Sequence, residues 1–322
     1  MPESELGSLI RRGEQSLSMG PLTLAVPVFN AERFLAATLD SLNAEGDALR
    51  WWLQDGASTD RTAELARNAA RAGDVVVSAP DRGQADAINT AMRQMGGEIV
   101  GFINGDDILA SGTSRRVLDY FAAHPDIDLV YGSVDWIDEN GIVTGHHTGA
   151  IDSLVSVLDI YQVWWANRQW VQPEVFYRRS LFEKVGGFDI SYNLAFDYDF
   201  WVRCFRAGAR VAHIPQVFAK FRMHAAQKSN ASAKAASEIR QIVRKSLDSA
   251  ASISVWKRWC LSAQLEYDRY QIGETLDANG QRPSFASAIF RNPQWLLSQL
   301  VRSRTQSSLA KALRLGRVSE DK

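Results

Sequence analysis

The chain has 322 residues, of which 46 % are hydrophobic and 23 % are charged. These proportions are typical of a globular protein and exclude a disordered chain, a collagen-like chain and a coiled coil. The length fits one large domain or two domains of roughly 150 residues each. Lysine and arginine total 36 against 37 acidic residues, and this balance provides no basic field that would recruit nucleic acid.

Cysteine content and apolar runs indicate the compartment. Cys204 and Cys260 are the only cysteines and form no C-x-x-C pattern. This argues against a disulfide framework and a cysteine zinc site, and it favours a reducing, cytoplasmic location. Residues 1–20 lack the apolar core of a signal peptide, so they are predicted to be an N-terminal extension. No run of about 18 apolar residues predicts a membrane-spanning helix.

Apolar strand patterns and amphipathic helix patterns alternate from Pro21 to Tyr131. The first helix carries Leu35, Leu39 and Leu42 on one face, which is the spacing of a helix packed on a sheet. Strands that alternate with helices in this way predict a parallel sheet covered on both faces. Strands are predicted at 22–29, 49–53, 75–78, 99–103 and 129–131, and helices at 31–44, 60–72, 84–95 and 113–123.

The pattern changes after Tyr131. Asp138-Glu139-Asn140-Gly141 predicts the turn of a hairpin, and Gln172–Arg178 is typical of a strand. A short helix is predicted at Asp197–Arg206 and a longer helical stretch at 231–270, before a tail rich in arginine and serine. The predicted organisation is an N-terminal extension (1–20), an α/β domain (21–230) with a nucleotide-binding half (21–131) and an acceptor half (132–230), and a helical C-terminal region (231–322).

Acidic residues follow three consecutive predicted strands. Asp55 follows the second strand, Asp81 the third, and Asp106 and Asp107 the fourth. Loop aspartates are often turn formers, but the carboxyl ends of parallel strands also form one ligand-binding edge. Because clustered carboxylates repel one another, a Mg²⁺ or Mn²⁺ ion shared with substrate phosphates would stabilise them. The pattern therefore favours a metal-assisted nucleotide or phosphate site.

Several common motifs are missing from the chain. It contains neither a G-x-x-x-x-G-K-[ST] loop nor a G-x-G-x-x-G turn, which argues against P-loop NTPases and dinucleotide-dependent dehydrogenases. The patterns H-E-x-x-H and G-x-S-x-G are also absent. Their absence removes the commonest zinc proteases and serine hydrolases from consideration.

A series of short motifs occurs in order along residues 21–230. It comprises Val26-Pro27-Val28-Phe29-Asn30, Asp55-Gly56-Ala57-Ser58-Thr59-Asp60, Asp81–Asn89, Asn104-Gly105-Asp106-Asp107, Gln172-Pro173, Gly186-Gly187-Phe188-Asp189, Phe196–Arg203 and Arg222-Met223-His224. With these motifs the chain resembles the family 2 glycosyltransferases of the GT-A fold. The resemblance implies an α/β fold with a Rossmann-like, mostly parallel sheet flanked by helices, a mixed acceptor half and a helical C-terminal extension.

The resemblance also implies a reaction. Such enzymes transfer a sugar from a nucleotide diphosphate sugar to an acceptor hydroxyl, with inversion at the anomeric carbon and with help from Mn²⁺ or Mg²⁺. A UDP-sugar is the favoured donor, and a saccharide or lipid-linked saccharide of polysaccharide biosynthesis is the expected acceptor. Inversion in one displacement requires a base on the acceptor side.

The motif matches assign expected roles to individual residues. Pro27, Asn30 and Glu32 would line the nucleotide pocket, Asp55 would contact the base or ribose, and Asp81, Asp86 and Asn89 would complete the donor side. Asp106 and Asp107 match the metal-binding element, with Asp107 the better candidate for the direct ligand, and Asp197 matches the general base. Arg222 and His224 match a loop that closes over the diphosphate, and His224 is a further candidate metal ligand.

Alternative functions stay open at this point. Asp197 could instead cap the helix that follows it. The same fold could serve a non-catalytic nucleotide-sugar-binding protein. A nucleotidyltransferase would carry a glycine-rich signature with arginine and lysine near the first strand, and Val26–Asn30 has none.

Aromatic and basic residues outside the motifs also allow two interpretations. Trp164, Trp165 and Trp170 form either core packing or an acceptor platform, and His146-His147 is predicted to lie on the hairpin surface. The tail from Arg291 to Arg317, with Trp295, Leu296, Leu297 and Leu300, forms either a basic amphipathic helix on the inner face of an anionic membrane or a solvated helix. The oligomeric state is not predicted.

Overall fold

A computed structural model describes residues 22–225, 227, 232–249, 252–273, 280–281, 283–298 and 301. The predicted extension at 1–20 and residues 302–322 of the tail lie outside the described residues. The chain divides into two compact units, one comprising Met1–Ala150 with Trp170–Ala235 and the other Ile151–Gln169 with Ala236–Lys322. The second unit thus takes one short segment from the middle of the chain and most of the C-terminal region.

Alternating strands and helices open the first unit. They are β1 (Leu22–Val28), α1 (Glu32–Asn43), β2 (Leu49–Asp55), α2 (Thr62–Ala69), β3 (Val75–Ser78), α3 (Gln84–Gln94), β4 (Ile99–Phe102), β5 (Ile108–Leu109) and α4 (Thr113–Ala123). β1 pairs in parallel with β2 and β4, and β2 pairs in parallel with β3. The alternating pattern predicted for this half is confirmed, and the short β5 is additional.

The strand order creates a switch point beside β1. The sheet begins β3-β2-β1-β4, so the chain first moves to one side of β1 and later returns to its other side. Ligands of open α/β sheets bind outside the carboxyl ends of the strands where the order reverses. Pro27 is compatible with this central strand because the neighbouring strand β4 ends before it reaches Pro27. The last residue of β4, Phe102, pairs with Ala25. No ladder hydrogen bond from the proline nitrogen is needed there.

The second half of the sheet is mixed. It contains β6 (Leu129–Ile137), β7 (Val143–His147), β8 (Val175–Arg178) and β9 (Val211–Arg222); the helices in this part of the chain are α5 (Leu154–Leu158), α6 (Arg179–Val185) and α7 (Phe196–Arg206). β8 is antiparallel to β4 and β6, whereas β9 is parallel to β6 and antiparallel to β5. The predicted fold class, a Rossmann-like parallel half joined to a mixed half, is confirmed.

The sequence does not predict β9 or α6. β9 contains Pro215 and lacks strict alternation of apolar and polar residues, and its register against β6 shifts on both sides of Ser133. Gly132 allows the close approach, because a Cβ there would lie 2.5 Å from Phe218 Cγ. The strand predicted at 172–178 begins only at Val175, since the preceding three residues, which include a proline, form a 3-10 turn.

Trp170 and His147, whose positions were predicted from the sequence, are both buried. Trp170 is buried, with its ring centroid 4.9 Å from that of Tyr131, so its packing role is confirmed. His147 is also buried, 5.6 Å from the Trp136 ring. The surface prediction is therefore wrong for His147, and it is confirmed for the exposed His146.

The second unit is helical. Its described elements are α5, a π-helical turn (Tyr161–Trp165), most of α8 (Ser232–Ser249), α9 (Val255–Gln271), α10 (Phe285–Arg291) and a 3-10 turn (Pro293–Leu297). The stretch predicted as helical at 231–270 thus contains two helices. Ser254 caps α9 because its hydroxyl accepts a hydrogen bond from the Lys257 N–H. Trp164, on the π-helical turn, is exposed.

Trp295 belongs to the core of the second unit. It is buried, with its ring centroid 5.7 Å from that of Tyr267 and 5.3 Å from that of Tyr270. The amphipathic helix predicted from Arg291 to Arg317 therefore cannot present this tryptophan to a membrane. Within the ranges that the structure describes, no helix is both long and apolar enough to cross a bilayer.

Candidate active site

The loop after β1 is tied to the loop after β2. Asn30 has a left-handed backbone conformation with a φ of 49°, which asparagine tolerates better than most residues. Its N–H donates to Ser58 Oγ at 2.8 Å, and its Oδ1 accepts a hydrogen bond from the Thr59 N–H at 2.9 Å. The Asn30 side chain therefore holds two loops together at the switch point.

Glu32 makes a second connection between the same loops. Its carboxylate accepts a hydrogen bond from the Arg61 N–H at 2.8 Å, while its own N–H donates to Asp60 Oδ2 at 3.1 Å. Pro27, which was also predicted to line a nucleotide pocket, is buried within β1. These residues lie at or just after the end of β1, and the polar atoms of Asn30 and Glu32 bind the loop after β2.

Asp55 is the last residue of β2 and is fully buried. Its Oδ1 accepts hydrogen bonds from the Ser58 N–H at 3.1 Å and from the Ser58 hydroxyl. Its Oδ2 accepts a hydrogen bond from Ser78 Oγ at 2.5 Å. A base or ribose that contacted Asp55, as predicted, would therefore have to replace a serine hydroxyl.

An exposed aromatic ring lies beside Asp81 at the rim. Phe29 is 65 % exposed directly after β1. A Cβ on Gly56 would lie 3.5 Å from the Phe29 ring and 2.9 Å from Asp81 Oδ2, so glycine lets both side chains approach this loop. Asp81 is held by the Gly83 N–H, which donates to its Oδ1 at 2.8 Å. Sequence reasoning missed Phe29, although an aromatic residue directly after a buried strand is a usable signal.

Asp86 and Asn89 both lie on α3 and bind protein groups. Asp86 forms an ion pair with Arg82 at 2.8 Å, and this hydrogen bond lowers the pKa of the carboxyl. The Asn89 amide donates to Phe188 O at 2.8 Å and accepts from the Phe188 N–H at 2.9 Å. A Cβ on Gly187, whose φ is 74°, would lie 2.8 Å from Asn89 Oδ1. Asn89 therefore positions the turn that precedes α7.

The two aspartates after β4 have different surroundings. Asp107 is fully buried; its Oδ1 accepts a hydrogen bond from the Arg222 N–H at 3.0 Å and its Oδ2 accepts one from Asn104 Nδ2 at 3.3 Å. Burial and the neighbouring charge of Asp106 raise the pKa of the Asp107 carboxyl well above its ordinary range. Asp106 is partly exposed, and its Oδ2 lies 2.9 Å from His224 Nε2. The structure thus encloses Asp107 and leaves Asp106 partly exposed.

Arg222 is the last residue of β9, so its predicted placement in a loop is wrong. It is buried; its Nε donates to Asp106 O at 2.9 Å and its Nη1 donates to Asp138 O at 3.0 Å. The Phe34 ring centroid lies 4.7 Å from the guanidinium carbon and 5.0 Å from the centroid of the His224 ring. Arg222 and Phe34 together support the pair formed by Asp106 and His224.

Gly105 allows the turn that carries Asp106 and Asp107 to pack against β1. A Cβ at Gly105 would lie 2.7 Å from Val28 Cγ1 and 3.4 Å from the Ala31 Cβ. We expect Gly105→Ala to lower the free energy of unfolding by about 1–3 kcal/mol, the usual cost of overpacking, as measured by urea titration. Because Val28→Ala removes the contacted methyl groups, the loss should be smaller in that background. An equal loss in both backgrounds would contradict crowding against Val28.

Asp197 is the second residue of α7 and not its cap. The N-cap is Ala195, which makes no side-chain cap hydrogen bond, and Asp197 Oδ1 accepts a hydrogen bond from the Tyr198 N–H at 2.7 Å. The Asp197 side chain is half-buried. Asp199 is buried and pairs with Arg203 at 2.7 Å. Only one of the two carboxylates on this helix therefore stays accessible, as the spacing of two residues predicts.

Glu174 is a buried carboxyl group that sequence reasoning did not single out. Its Oε1 accepts a hydrogen bond from the Val171 N–H at 2.9 Å. Among the residues that the structure describes, no group forms a hydrogen bond with its Oε2. Burial raises the pKa of this carboxyl well above its ordinary range.

We expect Glu174→Gln to flatten the pH dependence of stability. The pKa of Glu174 is higher in the folded state than in the unfolded state. Unfolding therefore releases the Glu174 proton at any pH between these two pKa values. Wild-type stability therefore falls as the pH rises above about 4.3, with a contribution from Glu174 of at most about 1.4 kcal/mol per pH unit. Glutamine keeps the acceptor for Val171 and does not ionise. Urea titrations of both proteins across this range check the result, and a constant difference in stability would contradict it.

The donor atoms available for a metal ion are few. The described part of the chain contains no group of three or more histidine, cysteine, aspartate and glutamate side chains placed to hold a metal. Mg²⁺ and related ions need only one or two protein carboxylates when water and substrate phosphates complete the shell. Asp106 and His224 supply one carboxylate and one imidazole, 2.9 Å apart. These residues fit a metal that is shared with a substrate phosphate.

Comparisons with known proteins agree with this arrangement. The family model described as Glycosyl transferase family 2 matches residues 23–196. A PGL/p-HBAD biosynthesis glycosyltransferase of Mycobacterium tuberculosis (strain H37Ra) is 30 % identical over 201 residues, which cover 61 % of this chain and 73 % of the relative.

Solved structures share the fold at low sequence identity. Staphylococcal (S. aureus) TarS 1-349 in complex with UDP-GlcNAc superposes with a TM-score of 0.60 at 16 % identity, covering 85 % of this chain and 78 % of TarS. The mannosyltransferase PcManGT from Pyrobaculum calidifontis, in complex with GDP-Man and Mn²⁺, superposes with a TM-score of 0.51 at 18 % identity, covering 94 % and 92 %. The fold is thus of the GT-A type, and because the family model spans more than half of its length, the chain belongs to the family 2 glycosyltransferases.

Proposed function

We propose that this glycosyltransferase moves the sugar of a UDP-sugar to a hydroxyl group of a saccharide or lipid-linked saccharide, with inversion and with a divalent metal. The observation that carries the proposal is the pair formed by Asp106 and His224, which are 2.9 Å apart. Asp106 follows β4, and a ligand of such a sheet binds at this edge. An acceptor of this kind is supported by the names of relatives, among them an O-antigen biosynthesis protein of Myxococcus xanthus.

The donor nucleotide would bind across the ends of β1 and β2. The exposed Phe29 ring offers a face on which a base can stack, and Asp81 lies beside the same loop. The solved complexes with UDP and UDP-GlcNAc superpose with TM-scores of 0.59 and 0.60, compared with 0.51 for the GDP-Man complex. We favour UDP as the nucleotide because the TarS complexes hold UDP and UDP-GlcNAc.

Asp106 and His224 would hold the Mn²⁺ or Mg²⁺ ion. A bound metal supplies positive charge that stabilises the departing diphosphate. The proposal assigns the direct contact to Asp106, since the oxygens of the fully buried Asp107 accept hydrogen bonds from Arg222 and Asn104. Asp107 would act on the metal only by fixing the turn that carries Asp106.

Asp197 is the proposed general base. In a single displacement the acceptor oxygen forms a bond to the anomeric carbon while the bond from that carbon to the diphosphate oxygen breaks. The proton of the acceptor hydroxyl passes to the Asp197 carboxylate. Asp197 suits this role because it is half-buried at the first turn of α7, while Asp199 is occupied by Arg203.

Thermal unfolding with UDP, GDP and dTDP, each with and without Mn²⁺, tests the donor site. A ligand at 100 times its dissociation constant stabilises by about 2.7 kcal/mol, which raises the Tm by roughly 5–10 °C for a domain of this size. We expect the largest rise with UDP and Mn²⁺ together. No rise with any pair would contradict the donor site. A rise without sugar transfer to any saccharide acceptor would favour a non-catalytic nucleotide-sugar-binding protein.

A further inference from the structure

The first turns of α9 expose three large apolar side chains. Val255 is 74 % exposed, Trp256 57 % and Trp259 55 %. The two indole rings lie 6.0 Å apart between centroids, so they form one continuous aromatic surface. Large apolar side chains grouped on a surface usually mark a contact site, whereas single ones need no explanation. We call these residues, with Lys257 and Arg258, the α9 patch.

The α9 patch is positively charged. The exposed Lys257 and the half-buried Arg258 lie between the two tryptophans in the sequence. At the end of α8, Arg244 is exposed one helical turn before Asp248. Asp248 lines the same groove as Arg258, and the three cations Arg244, Lys257 and Arg258 outnumber this carboxylate. Tryptophan next to lysine and arginine is the composition of segments that lie at the membrane–water interface.

An open groove adjoins the α9 patch. It has a volume of about 420 Å³ and lies between the end of α8 and the start of α9. Its walls combine apolar residues with one cationic and one acidic residue; they are formed by Leu247, Asp248, Val255, Arg258, Trp259 and Ser262. Apolar walls next to a cation match a lipid, which has an acyl chain next to an anionic headgroup.

The charge of each possible binding partner shows which one the α9 patch would attract. A second copy of the chain that docked through the same patch would bring the same cations against Lys257 and Arg258, which costs free energy through repulsion. Residues 302–322 of the tail contain six arginines and lysines and two acids, so they also carry a positive excess. An anionic bilayer instead attracts each cation and takes up the tryptophans at headgroup depth.

We propose that the α9 patch docks the protein on the surface of an anionic phospholipid bilayer. This surface differs from the tail helix expected from the sequence, whose Trp295 is buried. It belongs to the second unit, and it does not depend on the reaction proposed for the first. Lipid binding is therefore measurable without donor or acceptor, and its failure would leave the proposed function untouched.

Sedimentation of the full chain with vesicles tests the proposal. One set of vesicles is pure phosphatidylcholine, and the other contains roughly 30 mol % phosphatidylglycerol, a share that gives a negative surface potential. We expect binding to the anionic vesicles that falls with added salt. Trp256→Ala with Trp259→Ala should weaken it by roughly tenfold or more, and Lys257→Gln by about fivefold.

Matched controls locate the contact. Phe290→Ala removes a side chain that is 88 % exposed on α10, outside the patch, and Lys234→Gln removes an exposed cation near the start of α8. Both variants should bind as the wild type does. Undiminished binding of the double tryptophan variant, equal binding to both vesicle types, or an equal loss with Phe290→Ala would overturn the proposal. So would a wild-type dimer that the double variant converts to a monomer.

Discussion

Replacing Asp197 by asparagine is expected to lower kcat by about 10²–10⁴-fold, the usual contribution of a general base. Asparagine keeps the shape of the side chain and the acceptor for the Tyr198 N–H, but it cannot take up the proton of the acceptor hydroxyl. The donor side should not change, so the Tm rise with UDP and Mn²⁺ should equal that of the wild type. Turnover with saturating donor and acceptor, together with the thermal shift, measures both effects.

Asp199→Asn is the matched control, because Asp199 lies on the same helix but is buried against Arg203. This variant should lose stability, since it leaves the Arg203 guanidinium less well paired. Its turnover per folded molecule should remain near that of the wild type. If Asp197→Asn retained turnover, or if only Asp199→Asn lost it, the base would have to be sought elsewhere.

Replacing Asp106 by alanine is expected to lower kcat/KM by about 10²–10³-fold, corresponding to several kcal/mol of lost charge stabilisation. The physical reason is that Asp106, which lies 2.9 Å from His224, carries the partly exposed carboxylate of the turn, whereas Asp107 is buried. The Tm rise with UDP should no longer increase when Mn²⁺ is added. Titration of Mn²⁺ at fixed UDP, followed by thermal unfolding, measures this loss.

Two carboxylates provide controls for Asp106→Ala. Asp107→Asn should lower stability, because its NH₂ group cannot accept and so replaces the acceptor of either Arg222 or Asn104 by a donor. The folded variant should keep its response to Mn²⁺. Asp86→Ala should keep it as well, since that carboxylate pairs with Arg82. Loss of the Mn²⁺ response in Asp107→Asn, with retention in Asp106→Ala, would return the direct metal contact to Asp107.

The first half of the sheet was predictable because its signals are local. Residues 22–123 alternate between short apolar runs and amphipathic helices, and each helix face can be seen from residues three or four apart. β9 was not predictable in this way. It contains Pro215, its register shifts against β6, and it pairs with strands far away in the sequence. Such a strand is stabilised by its neighbours more than by its own composition.

The candidate site was predictable in position and only partly in detail. The placement of aspartates after successive strands correctly indicated one edge of the sheet. The surroundings of each aspartate depend on other segments: Asp55 is enclosed by Ser58 and Ser78, whereas Asp81 lies near the exposed Phe29. A sequence motif shows which residue types are present, but only the folded structure shows which side chains pack around them.

The amino-acid sequence by itself determined the α/β fold class and the family, because apolar periodicity and the order of short motifs are properties of contiguous residues. Tertiary structure decided that Asp106 is accessible and Asp107 is enclosed, since the hydrogen bond from the Arg222 N–H to Asp107 joins residues 115 positions apart. It also decided that Trp295 is buried while Trp256 and Trp259 are exposed. These outcomes depend on which distant surfaces meet when the chain folds, and no local pattern encodes them.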